Sequence, residues 1–231
     1  MRVLVGTSGY NYDTWKGLFY PSDLPAKRWL AFYAERFPTV EINYTFYRHP
    51  SPKTYQGWAD ETPPEFSFAL KASQRITHRA RLKEAEESTR FFCEGSAALQ
   101  AKRGPILFGL PPNLKKDIPR LTAFLAGLPT GVRAAFEFRH SSWLDDETYA
   151  TLRERGAALC VADAEALQTP PVATAPWGYL RLRRTDYSES ELDRWAERIR
   201  GTGWTDDVFV FFKHEDEARG PQWAEALQKR F

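Results

Sequence analysis

Along the chain, short apolar runs bounded by turn residues alternate with longer stretches whose apolar positions recur at helical spacing. That alternation predicts parallel strands joined by helical crossovers, because a strand covered on both faces reads as an unbroken apolar run. Eight strands are predicted: Val3 to Gly6, Thr39 to Asn43, Phe66 to Lys71, Pro105 to Leu110, Val132 to Phe138, Ala158 to Ala162, Gly178 to Leu182 and Val208 to Phe212. Helices are predicted near residues 27–37, 52–61, 83–102, 117–126, 146–155, 189–200 and 221–230. Local chemistry supports several of them. Ser51 followed by Pro52 reads as an N-cap and first-turn pair, Ser188 with Glu191 as a capping box, and Gly104, Gly127 and Gly156 follow helices. Leu192, Trp195, Ala196 and Ile199 form one apolar stripe that would lie against a sheet.

Eight strands with crossovers in 231 residues fit an α/β TIM (β/α)8-type barrel, typically about 250 residues long, better than an open doubly wound sheet. With no linker, repeat or low-complexity tract, residues 1–231 read as a single domain. Pro170, Pro171 and Pro176 stand between Asp163 and Trp177, so no full crossover helix is expected there. The barrel should be irregular between strands 6 and 7.

Composition adds exclusions. A net charge of +2, with 42% hydrophobic and 15% aromatic residues, describes a folded globular chain. No apolar run approaches the roughly 18 residues of a membrane span. The opening MRVLVGTSGY is short and polar for a signal peptide, so a soluble, cytoplasmic protein with no membrane partner is expected. Cys93 and Cys160 are too few for a disulfide framework or a thiolate cage.

The strands themselves carry charge, which the interior of a doubly covered sheet ordinarily avoids. In the second strand Thr39, Glu41 and Asn43 share the face opposite Val40 and Ile42; in the third, Ser67, Ala69 and Lys71 oppose Phe66, Phe68 and Leu70. Arg133, Ala135, Glu137 and Arg139 likewise oppose Val132, Ala134, Phe136 and Phe138. Arg181 and Arg183 oppose Leu180 and Leu182, and Lys213 follows Phe209 and Phe211. The bulky apolar face is expected to meet the helices and the small or charged face to line the interior. Most of these charges lie at the C-terminal strand ends, as do Asp163, His78 and His140, and that is the end where TIM-barrel active sites sit.

Five cations, Lys71, Arg139, Arg181, Arg183 and Lys213, stand there against Glu41, Glu137 and Asp163. An anionic guest, phosphate or carboxylate, is the natural partner. The structural alternative is a set of internal salt bridges closing an irregular barrel. Glu41 and Glu137 could serve as an acid and base pair, with Lys71 between them lowering one carboxyl pKa. The candidate catalytic residues are therefore Glu41, Lys71, Glu137 and Asp163. Candidate binding residues are Asn43, Tyr47, Trp15, His78, Arg139, His140, Trp143, Arg181, Arg183 and Lys213. A lysine can also form a Schiff base when desolvated. A divalent metal would collect Glu41, Glu137 and Asp163, with His78 or His140 as a further candidate ligand, although no metal spacing motif is present and nearby cations oppose it.

Aromatic residues crowd the same end. The long segment after the first strand holds Tyr10, Tyr12, Trp15, Phe19 and Tyr20, and Tyr44, Phe46 and Tyr47 follow Glu41; such rings suit a lid or a stacking wall for sugars or bases. There is no Gly-rich phosphate loop, dinucleotide fingerprint or serine triad pattern around Ser8.

The quoted motifs together resemble the DUF72, or YecE-like, family. They are GTSGY at 6–10, Trp15, FYP at 19–21, ERFPTVEINYTFYRHPS at 35–51, FALKAS and ITH with Lys71 and His78, GPILFGLPP at 104–112 and EFRHSSW at 137–143, then Asp163, RLR at 181–183 and Tyr187-Ser188 to Trp195. The resemblance covers nearly the whole chain and implies a TIM barrel in a bacterial or archaeal cytoplasmic protein. It implies no activity; links to sugar isomerases and AP-endonuclease-like barrels are analogies of fold. Arg181-Leu182-Arg183-Arg184 stands where the family commonly shows RLHG, and Phe211-Phe212-Lys213-His214 where it shows a YFNN-like turn; both departures make the mouth more anion-seeking. The resulting expectation is an enzyme of isomerase or hydrolase class acting on an anionic sugar-like molecule. A nucleic-acid-binding or nuclease-like barrel is the alternative, and a noncatalytic ligand-binding protein a further one.

Overall fold

All eight predicted strands form, each within two residues of its expected ends, in a computed structural model that describes residues 1–214 and 216–231. They are β1 (Val3–Ser8), β2 (Thr39–Ile42), β3 (Ser67–Lys71), β4 (Arg103–Gly109), β5 (Ala134–Glu137), β6 (Ala158–Asp163), β7 (Gly178–Leu182) and β8 (Val208–Phe212). Paired parallel in sequence order, with β8 returning to β1, they close a TIM barrel. Gly6 permits one tight approach: a Cβ there would lie 2.1 Å from the Thr39 carbonyl oxygen.

The helices are α1 (Trp29–Ala34), α2 (Tyr44–Tyr47), α3 (Pro52–Asp60), α4 (Glu86–Ser96), α5 (Ile118–Ala126), α6 (Asp146–Glu154), α7 (Glu189–Gly201) and α8 (Arg219–Gln228). Ser51 caps α3 by accepting from Thr54 N, and Ser188 with Glu191 forms the capping box of α7. The helix expected over 83–102 is shorter. Arg81, Leu82 and Glu84 take φ of 52°, 66° and 49°, a left-handed backbone that no helix continues, so α4 begins at Glu86. At its other end α4 yields to a tighter turn over Ala97–Lys102. The one-turn α2, too short to leave a periodic signal, was not expected.

No helix forms between β6 and β7, as the prolines require. That stretch is tied down instead by Thr174, whose hydroxyl donates to Ala157 O at 2.8 Å and accepts from Leu159 N at 2.7 Å. Ala175 and Trp177 then pack into the barrel interior.

Two apolar layers result. Val40, Phe68, Phe108, Phe136 and Leu180 face the helices, while Leu4, Ala69, Leu107, Ala135, Ala158 and Cys160 fill the barrel. In β8 the expected division fails, because Phe209 and Phe211 lie inside with Tyr179. The alanines of β3, β5 and β6 leave interior volume that these rings fill. Among the described residues, no helix is long and apolar enough to cross a membrane.

Candidate active site at the barrel mouth

At the C-terminal ends of the strands the inner face changes from apolar to ionic. Arg181 of β7 is 1% exposed, and its guanidinium lies between two buried carboxylates: NH2 donates to Glu41 Oε1 at 2.9 Å and NH1 to Glu137 Oε2 at 2.6 Å. The second oxygen of Glu41 accepts from Tyr179 OH at 2.7 Å, and Ser8 Oγ donates to the first. Asn43 Nδ2 donates to Ser8 Oγ at 2.9 Å. Glu137 accepts in addition from Arg183 NH1 at 2.9 Å and Arg139 NH2 at 3.2 Å. Gly109 opposite Glu137 in β4 makes room, since a Cβ there would stand 3.2 Å from Glu137 Oε2.

These pairings set the protonation states. Burial alone would raise the Glu137 pKa, but Arg181, Arg139 and Arg183 together hold it far below the usual carboxylate range. Glu41 is likewise lowered, because Arg181 and the Ser8 and Tyr179 hydroxyls outweigh its burial. Every carboxylate oxygen of the pair already accepts from a protein donor. Glu41 and Glu137 therefore have the character of fixed counterions, with no proton to give at neutral pH. The cation between them is Arg181, where Lys71 had been expected.

Lys71, the last residue of β3, is partly exposed and places Nζ 4.3 Å from the centroid of the Phe46 ring of α2. Burial, followed by the charge of Arg181, lowers its pKa to about 8. His78, on the turn Arg75–Arg79 after β3, meets the same Phe46 ring edge-on at 4.9 Å between centroids. Burial, with Arg139 and Lys71 nearby, lowers its pKa and favours the neutral ring. Arg139 and Arg183 keep 28% and 25% of their side chains exposed. Lys71, Arg139 and Arg183 thus form a partly open cationic rim above a buried anionic floor.

The other candidates lie elsewhere. Trp15 is 1% exposed, packed among Tyr12, Phe19 and Tyr20. Trp143 is equally buried, stacked on Phe138 and donating Nε1 to Leu114 O at 2.8 Å. Both are core residues, out of ligand reach. Asp163 ends β6 but shares the outward parity of Leu159 and Val161, and it accepts from Tyr187 OH at 3.0 Å rather than facing the mouth. His140 uses Nδ1 to accept from Ser142 N, starting the turn Ser141–Trp143. Tyr47 is 68% exposed at the end of α2, and Lys213 follows β8 with its backbone amide bonded to Leu182 O. Among the described residues no three His, Cys, Asp or Glu side chains converge as a metal-ligand set. The donors considered from sequence are thus not assembled: Glu41 and Glu137 are engaged by arginine, and Asp163 faces away.

Three contributors stand outside the candidate catalytic and binding residues: Ser8, weighed only as a nucleophile, Phe46, named only within an aromatic cluster, and Tyr179. Ser8 and Tyr179 had a legible signal, since each has the inward parity of a residue already suspected on its own or a neighbouring strand. Beside the mouth, a cavity of about 210 Å³ is lined by Tyr10, Tyr12, Tyr44, Trp58, Asn43 and Thr54, among others. Asn43 joins it to the ionic floor through Ser8, and its carboxamide oxygen has no protein donor among the described residues.

The family model described as "Protein of unknown function DUF72" matches residues 4–231. The chain belongs to the DUF72 family. Among curated relatives of this DUF72 chain, the UPF0759 protein YecE of Escherichia coli is 26% identical over 168 residues, 70% of this chain and 59% of YecE. The match therefore spans about three-fifths of that relative's length. The UPF0759 protein YunF of Bacillus subtilis is 23% identical, with 93% of this chain and 80% of YunF covered. Among solved structures, a DUF72 family protein from Thermotoga maritima superposes with a TM-score of 0.89 at 28% identity, covering 99% of this chain and 98% of that one. A methyltransferase from Methanosarcina mazei, at TM-score 0.58 and 10% identity over 99% of this chain and 92% of that one, shares the fold alone.

Proposed function

We propose that this DUF72 barrel is an enzyme that binds a phosphate- or carboxylate-bearing sugar-like molecule at its C-terminal mouth and isomerises it by proton transfer. The observation that carries this reading is the partly exposed rim of Lys71, Arg139 and Arg183 standing over Glu41 and Glu137. Its two arginines suit bidentate capture of an oxyanion, while buried Glu137 pairs with both. The adjoining cavity, walled by aromatic faces and edged by the uncharged Asn43 and Thr54, fits the hydroxylated portion of the same ligand. Proton transfer falls to Lys71, with a pKa of about 8, and to neutral His78. The ideal acid–base group titrates near the working pH, which the arginine-bound carboxylates do not. Isomerisation is favoured over hydrolysis because, among the described residues, Glu41 and Glu137 are both engaged by arginine and do not remain an available carboxyl pair to cleave a glycosidic bond.

A thermal-shift screen of sugar phosphates, sugar acids, inorganic phosphate and nucleic acids at low ionic strength tests this. Sugar phosphates or sugar acids should raise the melting temperature by mass action, and more than inorganic phosphate does. A shift produced only by DNA or RNA, and abolished steeply by salt, would instead favour the nucleic-acid alternative. Tight sugar-phosphate binding with no turnover would leave a noncatalytic ligand-binding protein.

A further inference from the structure

We propose that Lys71 acts covalently, its amine condensing with the carbonyl of an open-chain sugar phosphate or sugar acid to form an imine. The inference rests on the reading of the mouth as an anion site and narrows its substrates to carbonyl compounds, aldehydes or ketones that also carry the anion. The geometry singles out this amine. Among the described residues no carboxylate lies within 4.0 Å of Lys71 Nζ and no hydrogen bond holds it, whereas Arg181, Arg183 and Arg139 engage both buried carboxylates. A lysine fixed in an ion pair is a poor nucleophile; one partly buried beside arginines sheds its proton more readily. With a pKa of about 8, near pH 7.5 it carries a neutral fraction roughly two-hundredfold that of an ordinary lysine.

Other nucleophiles near the mouth are less apt. Cys160 is fully buried and its thiol is pushed well above its usual range by that burial. Ser8 Oγ already donates to Glu41 and accepts from Asn43 and Arg181.

In the step itself the Lys71 lone pair forms the C–N bond while the carbonyl π pair moves to oxygen, which takes up a proton. The nitrogen gives up a proton and the resulting hydroxyl, protonated in turn, leaves as water. The product is a protonated imine, and the reverse sequence regenerates the amine. The overall balance is amine plus carbonyl plus one proton giving iminium plus water. His78 meets the same Phe46 ring edge-on, its lowered pKa favours the neutral imidazole, and it is the group to which this step assigns the proton relay. The iminium draws electrons from the neighbouring carbon, so with Lys71 bonded to the substrate its amine activates that carbon and the proton transfer itself falls to His78.

The test is reductive trapping of the whole protein. Glyceraldehyde 3-phosphate and, in parallel, unphosphorylated glyceraldehyde are added with cyanoborohydride, which delivers hydride to an iminium and makes the bond permanent. Peptide mapping by mass spectrometry then locates the adduct, and Lys71→Arg, which keeps the charge but cannot form the imine, is carried alongside. The expected result is labelling of Lys71 at least tenfold faster than any surface lysine, faster with the phosphorylated aldehyde, and slowed by inorganic phosphate. Phosphate should still raise the melting temperature of Lys71→Arg. Labelling spread evenly over surface lysines, with phosphate still stabilising the protein, would overturn the imine and leave the anion site. Labelling of Lys71 at equal rates by both aldehydes, without protection by phosphate, would keep the imine and remove the anion reading.

Discussion

Arg181 and Glu137, on β7 and β5, meet at 2.6 Å across the closed barrel with both side chains 1% exposed. One guanidinium also reaches Glu41, so three ionised groups are withdrawn from water at the level where the apolar interior ends. A buried set of this kind is held by mutual satisfaction rather than by net gain, and removal of any member exposes the whole desolvation penalty of the others.

Arg181→Met should therefore destabilise the fold by about 3–5 kcal/mol, because it leaves two carboxylates buried without their shared cation. Glu137→Gln should be damaging for the complementary reason. Urea unfolding monitored by tryptophan fluorescence measures both, and a loss under 1 kcal/mol for Arg181→Met would show that solvent reaches these groups.

Acid should expose the same network. Glu41 and Glu137 have lowered pKa values in the folded protein, so below roughly pH 5 the unfolded chain takes up protons that the folded chain refuses. Their stabilising contribution is complete above the unfolded carboxylate range and declines as the pH falls. The melting temperature should be level from pH 7 to about pH 5.5 and then drop. Glu41→Gln should show a shallower drop over that acid range than the parent protein.

Lys71 carries the opposite sign. Its folded pKa, about 8, lies below that of a lysine in the unfolded chain, so between about pH 8 and 10 the unfolded state binds more protons and stability rises with pH. Lys71→Met removes a cation that is partly buried at neutral pH and packs against Phe46. Its melting temperature should match or exceed that of the parent protein near pH 7, with the gap closing toward pH 10. Turnover, in contrast, should be abolished.

Anion binding should depend on the rim in a graded way. Arg183→Met removes a charge-assisted contact of about 1.5–3 kcal/mol and should weaken sugar-phosphate binding about tenfold or more by calorimetry. Glu137 retains Arg181 and Arg139, so the variant should fold. Undiminished affinity would place the anion elsewhere.

Trp143→Phe separates core from site. The indole donates to Leu114 O at 2.8 Å, and its loss leaves that carbonyl short of a donor, costing about 1–2 kcal/mol of stability. Ligand affinity should be unaffected, whereas Tyr44→Ala, at the cavity wall, should reduce the preference for sugar phosphate over inorganic phosphate.

The barrel and much of its mouth were legible in the amino-acid order alone. Apolar runs at regular intervals determined eight parallel strands, the prolines at 170, 171 and 176 determined the missing crossover helix, and alternation placed Glu41, Lys71, Glu137 and Arg181 on one inward face. These are local properties, set by side-chain period and backbone chemistry. Three things were decided only by tertiary structure. Asp163 turned outward because β6 runs one residue past its expected end at Ala162, so Asp163 takes the strand parity of Leu159 and Val161 in place of a loop position at the mouth. Trp15 and Trp143 disappeared into the core because an aromatic residue near a loop reads the same whether it walls a ligand or anchors the chain. Arg181 rather than Lys71 came to bridge the carboxylates because closure of the barrel brings β7 between β2 and β5 across the interior. Pairing across a closed cylinder depends on which side chains are long enough to meet, a distance that sequence spacing does not contain.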